Sequence, residues 1–162
     1  MARLLEHLYR ENIRTRAATI GDGVEVRPSG IPGAGFGLFA TRAFRRRELV
    51  TGVDGSLVTR AEADRLRAGG EHSHVRTLMY HTLAVDGLKS HPAPPGRGGG
   101  TYANDGRGDP AHPNNAEFVT APVFDGTLPL CFLRARTAIA PGDEILVSYG
   151  RQYWRSHKRK TI

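Results

Sequence analysis

The sequence predicts a mainly β protein with few short helices. Two observations carry this. Short apolar stretches are separated by many of the 20 glycines and 10 prolines found in 162 residues, and apolar residues at helical spacing occur in few places. The length suits one domain, and a chain this size buries roughly two-thirds of its unfolded surface without a disulfide or metal staple. Hydrophobic residues at 39% and charged residues at 24% are a globular composition.

Leu4, Leu5, Leu8, Tyr9 and Ile13 recur at helical spacing, so an amphipathic helix is expected within residues 1–20. Its apolar stripe suits packing on the body or on a second subunit. Gly21-Asp22-Gly23 ends it. Strand-like segments follow at residues 24–27, 38–40 and 49–53. Thr59 with Glu62 three residues on is a capping box, opening a short helix to about Arg67. Residues 76–85 read as a strand or a buried segment. Residues 91–115 hold five of the ten prolines, and a connection this long is functional or disordered. Strands resume at residues 116–120, 128–133 and 144–147.

Lys and Arg number 23 against 16 Asp and Glu, a net charge of +7. Arg151, Arg155, Lys158, Arg159 and Lys160 place most of that excess at the C-terminus, where residues 155–162 form a basic tail. A nucleic-acid-binding fold spreads its basic residues across a face. The tail reads either as a solvated terminus or as a contact for chromatin, nucleic acid or an acidic partner. Cys131 is the one cysteine, which excludes an internal disulfide and a cysteine-built zinc site. His72 with His74, and Asp105, Asp109 and His112, match no familiar ligand spacing, so no metal is expected. No apolar run approaches a membrane span, and Glu6 and His7 break the first ten residues; an intracellular compartment is expected.

Gly33-Ala34-Gly35-Phe36-Gly37 is not a dinucleotide fingerprint. It follows Pro28-Ser29-Gly30-Ile31-Pro32 and leads into a strand, where a fingerprint would open a helix. Alone it reads as a turn whose small residues let the backbone approach something flat or anionic, with Phe36 as an anchor. Tyr102-Ala103-Asn104-Asp105 with Pro113-Asn114-Asn115-Ala116-Glu117-Phe118 alone reads as a polar loop. Pro141-Gly142-Asp143-Glu144-Ile145-Leu146-Val147-Ser148-Tyr149-Gly150, followed by Tyr153-Trp154, alone reads as a turn and an edge strand.

In this order and spacing the three stretches resemble the SET domain of protein lysine methyltransferases, over residues 21–154. The likeness is closest to the minimal chlorella-virus-type histone methyltransferases, which share Ser-Tyr-Gly before Tyr-Trp and lack a cysteine-rich segment after the domain. The resemblance implies small curved sheets and a C-terminal strand threaded through a loop as a pseudoknot. It also implies S-adenosylmethionine and a lysine entering from opposite faces. Gly33, Ala34, Gly35 and Phe36 would face the methionine end of the cofactor. Ala103, Asn104, Asp105, Tyr149 and Trp154 would complete the cofactor site. Tyr149 would be catalytic, with Val147 and Tyr80 beside it in the substrate channel. Three departures stand out: Asp105 replaces the family's usual histidine, Val53-Asp54-Gly55 lacks an aromatic many members carry, and residues 91–99 have no counterpart.

The chemistry implied is in-line methyl transfer to a neutral amine. Lysine has a reference pKa of about 10.4, and a narrow apolar channel lowers it, leaving alignment as the main task. A phenol at Tyr149 can accept a weak C–H contact or a hydrogen bond while remaining neutral. The implied substrate is a histone tail, in a nuclear, chromatin-associated setting and with a homodimer as in minimal relatives. A basic tail calls for an acidic groove, with Asp54, Asp105 and Glu117 as candidates. Val147 brings no hydroxyl to hold a water beside the amine, so the product is not limited to monomethyl-lysine. Two alternatives stay open: an inactive SET-like module that recruits chromatin or acidic partners, and a nucleic-acid-binding protein using Arg42, Arg45, Arg46, Arg47 and the tail.

Overall fold

Among the described residues, strands of two to six residues form three small antiparallel sheets. The computed structural model describes residues 22–53, 56–69, 75–77, 83–86, 99–121 and 130–156. In order these form β1 (Val24–Pro28), β2 (Phe36–Ala40), β3 (Leu49–Gly52), β4 (Ser56–Thr59), α1 (Arg60–Ala68), β5 (Val75–Thr77) and β6 (Leu83–Asp86). A 3-10 turn (Gly100–Tyr102), β7 (Ala116–Ala121), β8 (Leu130–Ala135), β9 (Glu144–Ile145) and α2 (Arg151–Ser156) complete the list. The expected N-terminal helix, Asp54, the histidine pair His72 and His74, Tyr80, residues 91–98 and residues 157–162 of the tail lie outside the described residues.

The first sheet has the order β1–β2–β9, with Val24 opposite Ala40 and Leu38 opposite Ile145. Leu38, Phe39 and Ala40 are buried in succession, so both faces of β2 are covered. Edge strand β1 buries only Val24. The second sheet, β3–β8–β7, supplies Val50, Phe132, Leu133 and Ala135 to the main core, where they meet Leu38, Phe44, Ile139, Ile145 and Val147. Each large side chain buried there contributes about 1.5–3 kcal/mol. β8 begins just after Pro129, a residue with no N–H for a ladder. It runs past the expected end because the Ala135 N–H reaches the Glu48 carbonyl at 2.9 Å.

The third sheet, β4–β6–β5, packs with α1 around Ala63, Val75 and Ala84. The 76–85 stretch therefore contributes to two strands, with β6 pairing on both sides. α1 starts where the capping residues indicate: Thr59 Oγ1 accepts the Glu62 N–H at 3.2 Å, and Gly69 closes the helix on the Arg65 carbonyl. α2 follows Gly150, whose φ of 86° turns the chain. The sequence reading places no helix there, since six residues are too few to show a period.

After β9 the chain changes partners. The Val147 N–H bonds the Asn104 carbonyl at 2.8 Å, while the N–H groups of Asn115 and Ala116 bond the Leu146 carbonyl at 3.0 and 2.9 Å. Parallel bridges result at Asn104–Leu146 and Ala116–Val147. The segment passes between the two ends of the 104–116 loop, which is the threaded arrangement of a pseudoknot. Asn115 locks it, accepting the Leu146 N–H on Oδ1 at 2.9 Å and donating from Nδ2 to the Glu144 carbonyl at 2.8 Å.

Cys131 lies buried in β8, and burial pushes its thiol up to about 12 against a weaker opposite pull from Arg76. At about pH 8 almost no thiolate exists in the native state. The thiol is expected to react with DTNB only on unfolding. Labelling in buffer as fast as in denaturant would contradict this.

Candidate active site

The glycine turn is held from the far end of the chain. Glu144 on β9 accepts the Ser29 hydroxyl at 2.6 Å on Oε1 and the Gly30 N–H at 2.9 Å on Oε2. Ser29 and Ile31 close the turn through Gly35 and Ala34 at 2.8 and 3.1 Å. Gly33 and Gly35 adopt φ of 75° and 74°, the left-handed region that favours glycine. At Gly37 the constraint is space: a Cβ there would lie 2.2 Å from Glu144 Oε1. Asn104 joins this assembly, donating from Nδ2 to the Phe36 carbonyl at 2.9 Å and to Glu144 Oε1 at 3.3 Å. The first and second motifs are thus hydrogen-bonded to one another.

The next residue ties the second motif to the third. Asp105 is 3% exposed. Its Oδ1 accepts the Arg107 N–H at 2.7 Å and the Asn114 amide at 3.0 Å. Its Oδ2 accepts the Tyr149 N–H and the Trp154 indole N–H, both at 2.8 Å. Burial alone would raise its pKa. The four donors outweigh that and hold the carboxyl below the usual aspartate value. Asp105 is therefore an internal anchor, not an acid facing a basic peptide. Glu117, the second candidate for an acidic groove, is held by Arg134 at 2.7 Å.

Tyr149 stands where the threaded segment emerges. Its hydroxyl donates to the Ala103 carbonyl at 2.8 Å. Tyr153 meets its ring edge-on at 4.8 Å, and Trp154 lies nearly parallel to it at 6.1 Å. Next to Tyr149 in sequence, Ser148 and Gly150 line a cleft of about 460 Å³ with Asp105, Arg107, Arg151 and Trp154 among others. That volume lies in the range of small-molecule sites. Arg107 caps the Trp154 ring at 4.4 Å. Tyr149 also lines a narrow slot of about 10 Å³ with Val53, Gly100, Thr101, Ala103, Phe118 and Arg76.

Of the expected cofactor residues, Asp105 and Trp154 line the cleft. Gly33, Ala34, Gly35 and Phe36 line neither the cleft nor the slot; Phe36 is 58% exposed and its carbonyl accepts the Asn104 amide. Ala103 and Tyr149 border the slot. Val147 is fully buried in the main core, and the wall expected of it is formed by Phe118 and Arg76. Its backbone is held by Asn104 and Ala116, which turns that residue inward. Sequence reasoning assigned no role to Glu144, Asn114, Asn115, Thr101, Phe118 or Arg76. For Arg76 a signal existed: a cation in Val75-Arg76-Thr77, which strand alternation sends to the face opposite Val75.

The SET-domain family profile matches residues 35–150, and the chain belongs to the SET-domain family, a family of methyltransferases. Among solved structures it is similar to a chain of a humanized mutant of the Chaetomium thermophilum Polycomb Repressive Complex 2 bound to the inhibitor GSK126. That similarity has 22% identity and a TM-score of 0.60, covering 78% of this chain and 15% of that one. The likeness is one of fold, and this chain spans a small part of that protein's length. No curated protein matches it in sequence.

Proposed function

We propose that the protein is an S-adenosylmethionine-dependent protein lysine N-methyltransferase of minimal type, acting on a histone tail in chromatin. One observation carries the reading. Three segments far apart in sequence meet through side-chain hydrogen bonds, Phe36 to Asn104 and Asp105 to Tyr149, beside both a cleft and a narrow slot. A cleft beside Trp154 and a separate slot bordered by Tyr149 suit a reaction in which donor and acceptor occupy different openings.

The residues fit the cofactor. Trp154 lines the cleft with a flat aromatic ring suited to a purine, the Asn104 carbonyl is held by the threaded segment, and the Asp105 carboxylate by Asn114. The cofactor supplies a methyl group activated on a sulfonium sulfur. Everything else falls to the chain. Tyr149, fixed by Ala103 and Asp105, orients the acceptor amine in line. The apolar sides of Val53, Ala103 and Phe118 keep water away and favour the neutral amine.

Core histones with radiolabelled S-adenosylmethionine test the proposal, read as label at lysine. Mass spectrometry of the same peptides reads the methyl count, which extends beyond monomethyl because, among the described residues, Tyr149 is the one phenol lining the slot. Binding of S-adenosylhomocysteine with no transfer to any protein lysine would favour the inactive-module reading. A product that stays monomethyl at exhaustive turnover would remove the claim about methyl count.

A further inference from the structure

Arg76 is a half-buried cation that the proposed chemistry does not use. Its strand, β5, sends Val75 into the small cluster against α1, and alternation turns Arg76 the other way. The guanidinium carbon lies 3.8 Å from the Phe118 ring centroid and 5.1 Å from that of Tyr149. Among the described residues it pairs with no carboxylate. Burial draws its pKa down, offset in part by Tyr149, Cys131, Tyr153 and Asp105. A half-buried guanidinium without an anion gives up part of its hydration, and the ring faces offset some of that loss.

The same slot holds a second unpaired group. Thr101 Oγ1 is buried with no hydrogen-bond partner, and Thr101 lines the slot. Two ring faces that hold a cation, with a buried hydroxyl waiting for an N–H, make a site for a cationic side chain. With Arg76 in place the free space is about 10 Å³, room for roughly one water.

We propose that Arg76 occupies the place of the substrate's lysine side chain and closes the slot until a peptide displaces it. This rests on the methyltransferase reading. β5 is three residues long and an edge strand, paired only with β6 in its sheet. A small movement of that edge withdraws the guanidinium without disturbing the main core. Selection of substrate then includes a competition: an incoming lysine must meet Phe118, Tyr149 and Thr101 better than the resident arginine does.

The test uses the protein with no peptide at all. Arg76→Lys places a primary amine in the slot, so incubation with radiolabelled S-adenosylmethionine labels the protein itself at position 76. The amine nitrogen forms the new bond to the methyl carbon. The carbon–sulfur bond breaks with its electron pair left on sulfur, and the amine's proton goes to solvent. The labelling rate constant is independent of protein concentration, and adding Tyr149→Phe removes it. Arg76→Ala opens the slot and raises kcat/KM on core histones about fivefold or more, as expected when a competing closed state is removed. The proposal is overturned by an unlabelled position 76 in a folded Arg76→Lys protein that still binds S-adenosylhomocysteine by calorimetry, or by a lower kcat/KM in Arg76→Ala. If histones are nonetheless methylated by the unsubstituted protein, the methyltransferase reading survives that failure. Absence of S-adenosylhomocysteine binding overturns both.

Discussion

Tyr149→Phe is expected to lower kcat for lysine methylation by about a hundredfold or more, with S-adenosylhomocysteine binding changed by less than about threefold. The substitution removes one oxygen and leaves the ring. Contacts with Tyr153 and Trp154 therefore persist, and so does the backbone bond from position 149 to Asp105. What goes is the hydroxyl fixed by the Ala103 carbonyl at 2.8 Å, at the border of the slot. In-line transfer depends on the reacting atoms being held within a narrow range, and a displacement of about 1 Å is enough for a loss of this size. The structural effect is of similar size but falls on stability and not on kcat. Ala103 is 1% exposed, so its carbonyl loses a buried partner, worth about 1–3 kcal/mol. A loss in kcat with affinity preserved separates the chemical role from the structural one. Equal kcat values in the two proteins would show that the hydroxyl does not take part.

The parts of this fold legible in the sequence are those fixed by local chemistry. Thr59 and Glu62 mark the start of α1 because a cap is a contact three residues long. The strands of the first two sheets show as apolar runs cut by Gly and Pro, and their ends shift by a residue or two where a distant carbonyl extends or stops the ladder, as Glu48 does for Ala135. The family resemblance indicated that three motifs belong together. It did not indicate what joins them. Glu144 gathers Ser29, Gly30 and Asn104, and Asn115 fastens the threaded segment; both act across more than 25 residues, where no spacing rule applies. Val147 illustrates the limit in the other direction. Its position in the motif suggests a channel wall, yet the bridges on either side of it turn the side chain into the core. Arg76 and Phe118 take that wall; alternation on β5 turns Arg76 away from Val75, but nothing local shows which rings it meets.

Asp105→Ala is expected to destabilise the protein by about 3–5 kcal/mol, a large share of the 5–15 kcal/mol typical of a domain. Four donors converge on this carboxylate, and two of them, the Tyr149 N–H and the Trp154 indole, belong to the segment that emerges from the pseudoknot. Removing the acceptor leaves these groups without their partner, at about 1–3 kcal/mol for each one left buried. Asp105→Asn is milder but does not rescue the site, because an amide presents one acceptor oxygen and turns two N–H donors toward groups that are themselves donors. The pH dependence carries the same information. A carboxyl whose folded pKa is depressed contributes stability that is fully present above its unfolded value, about 3.9, and is lost as pH falls through the folded value. The unsubstituted protein is therefore expected to gain this contribution as pH rises from below the folded value to about 3.9, whereas Asp105→Asn, already less stable at neutral pH, has a shallower acid limb in its melting temperature. Parallel melting curves for the two proteins across that range would show that the carboxylate is not the link between the asparagine loop and Tyr149.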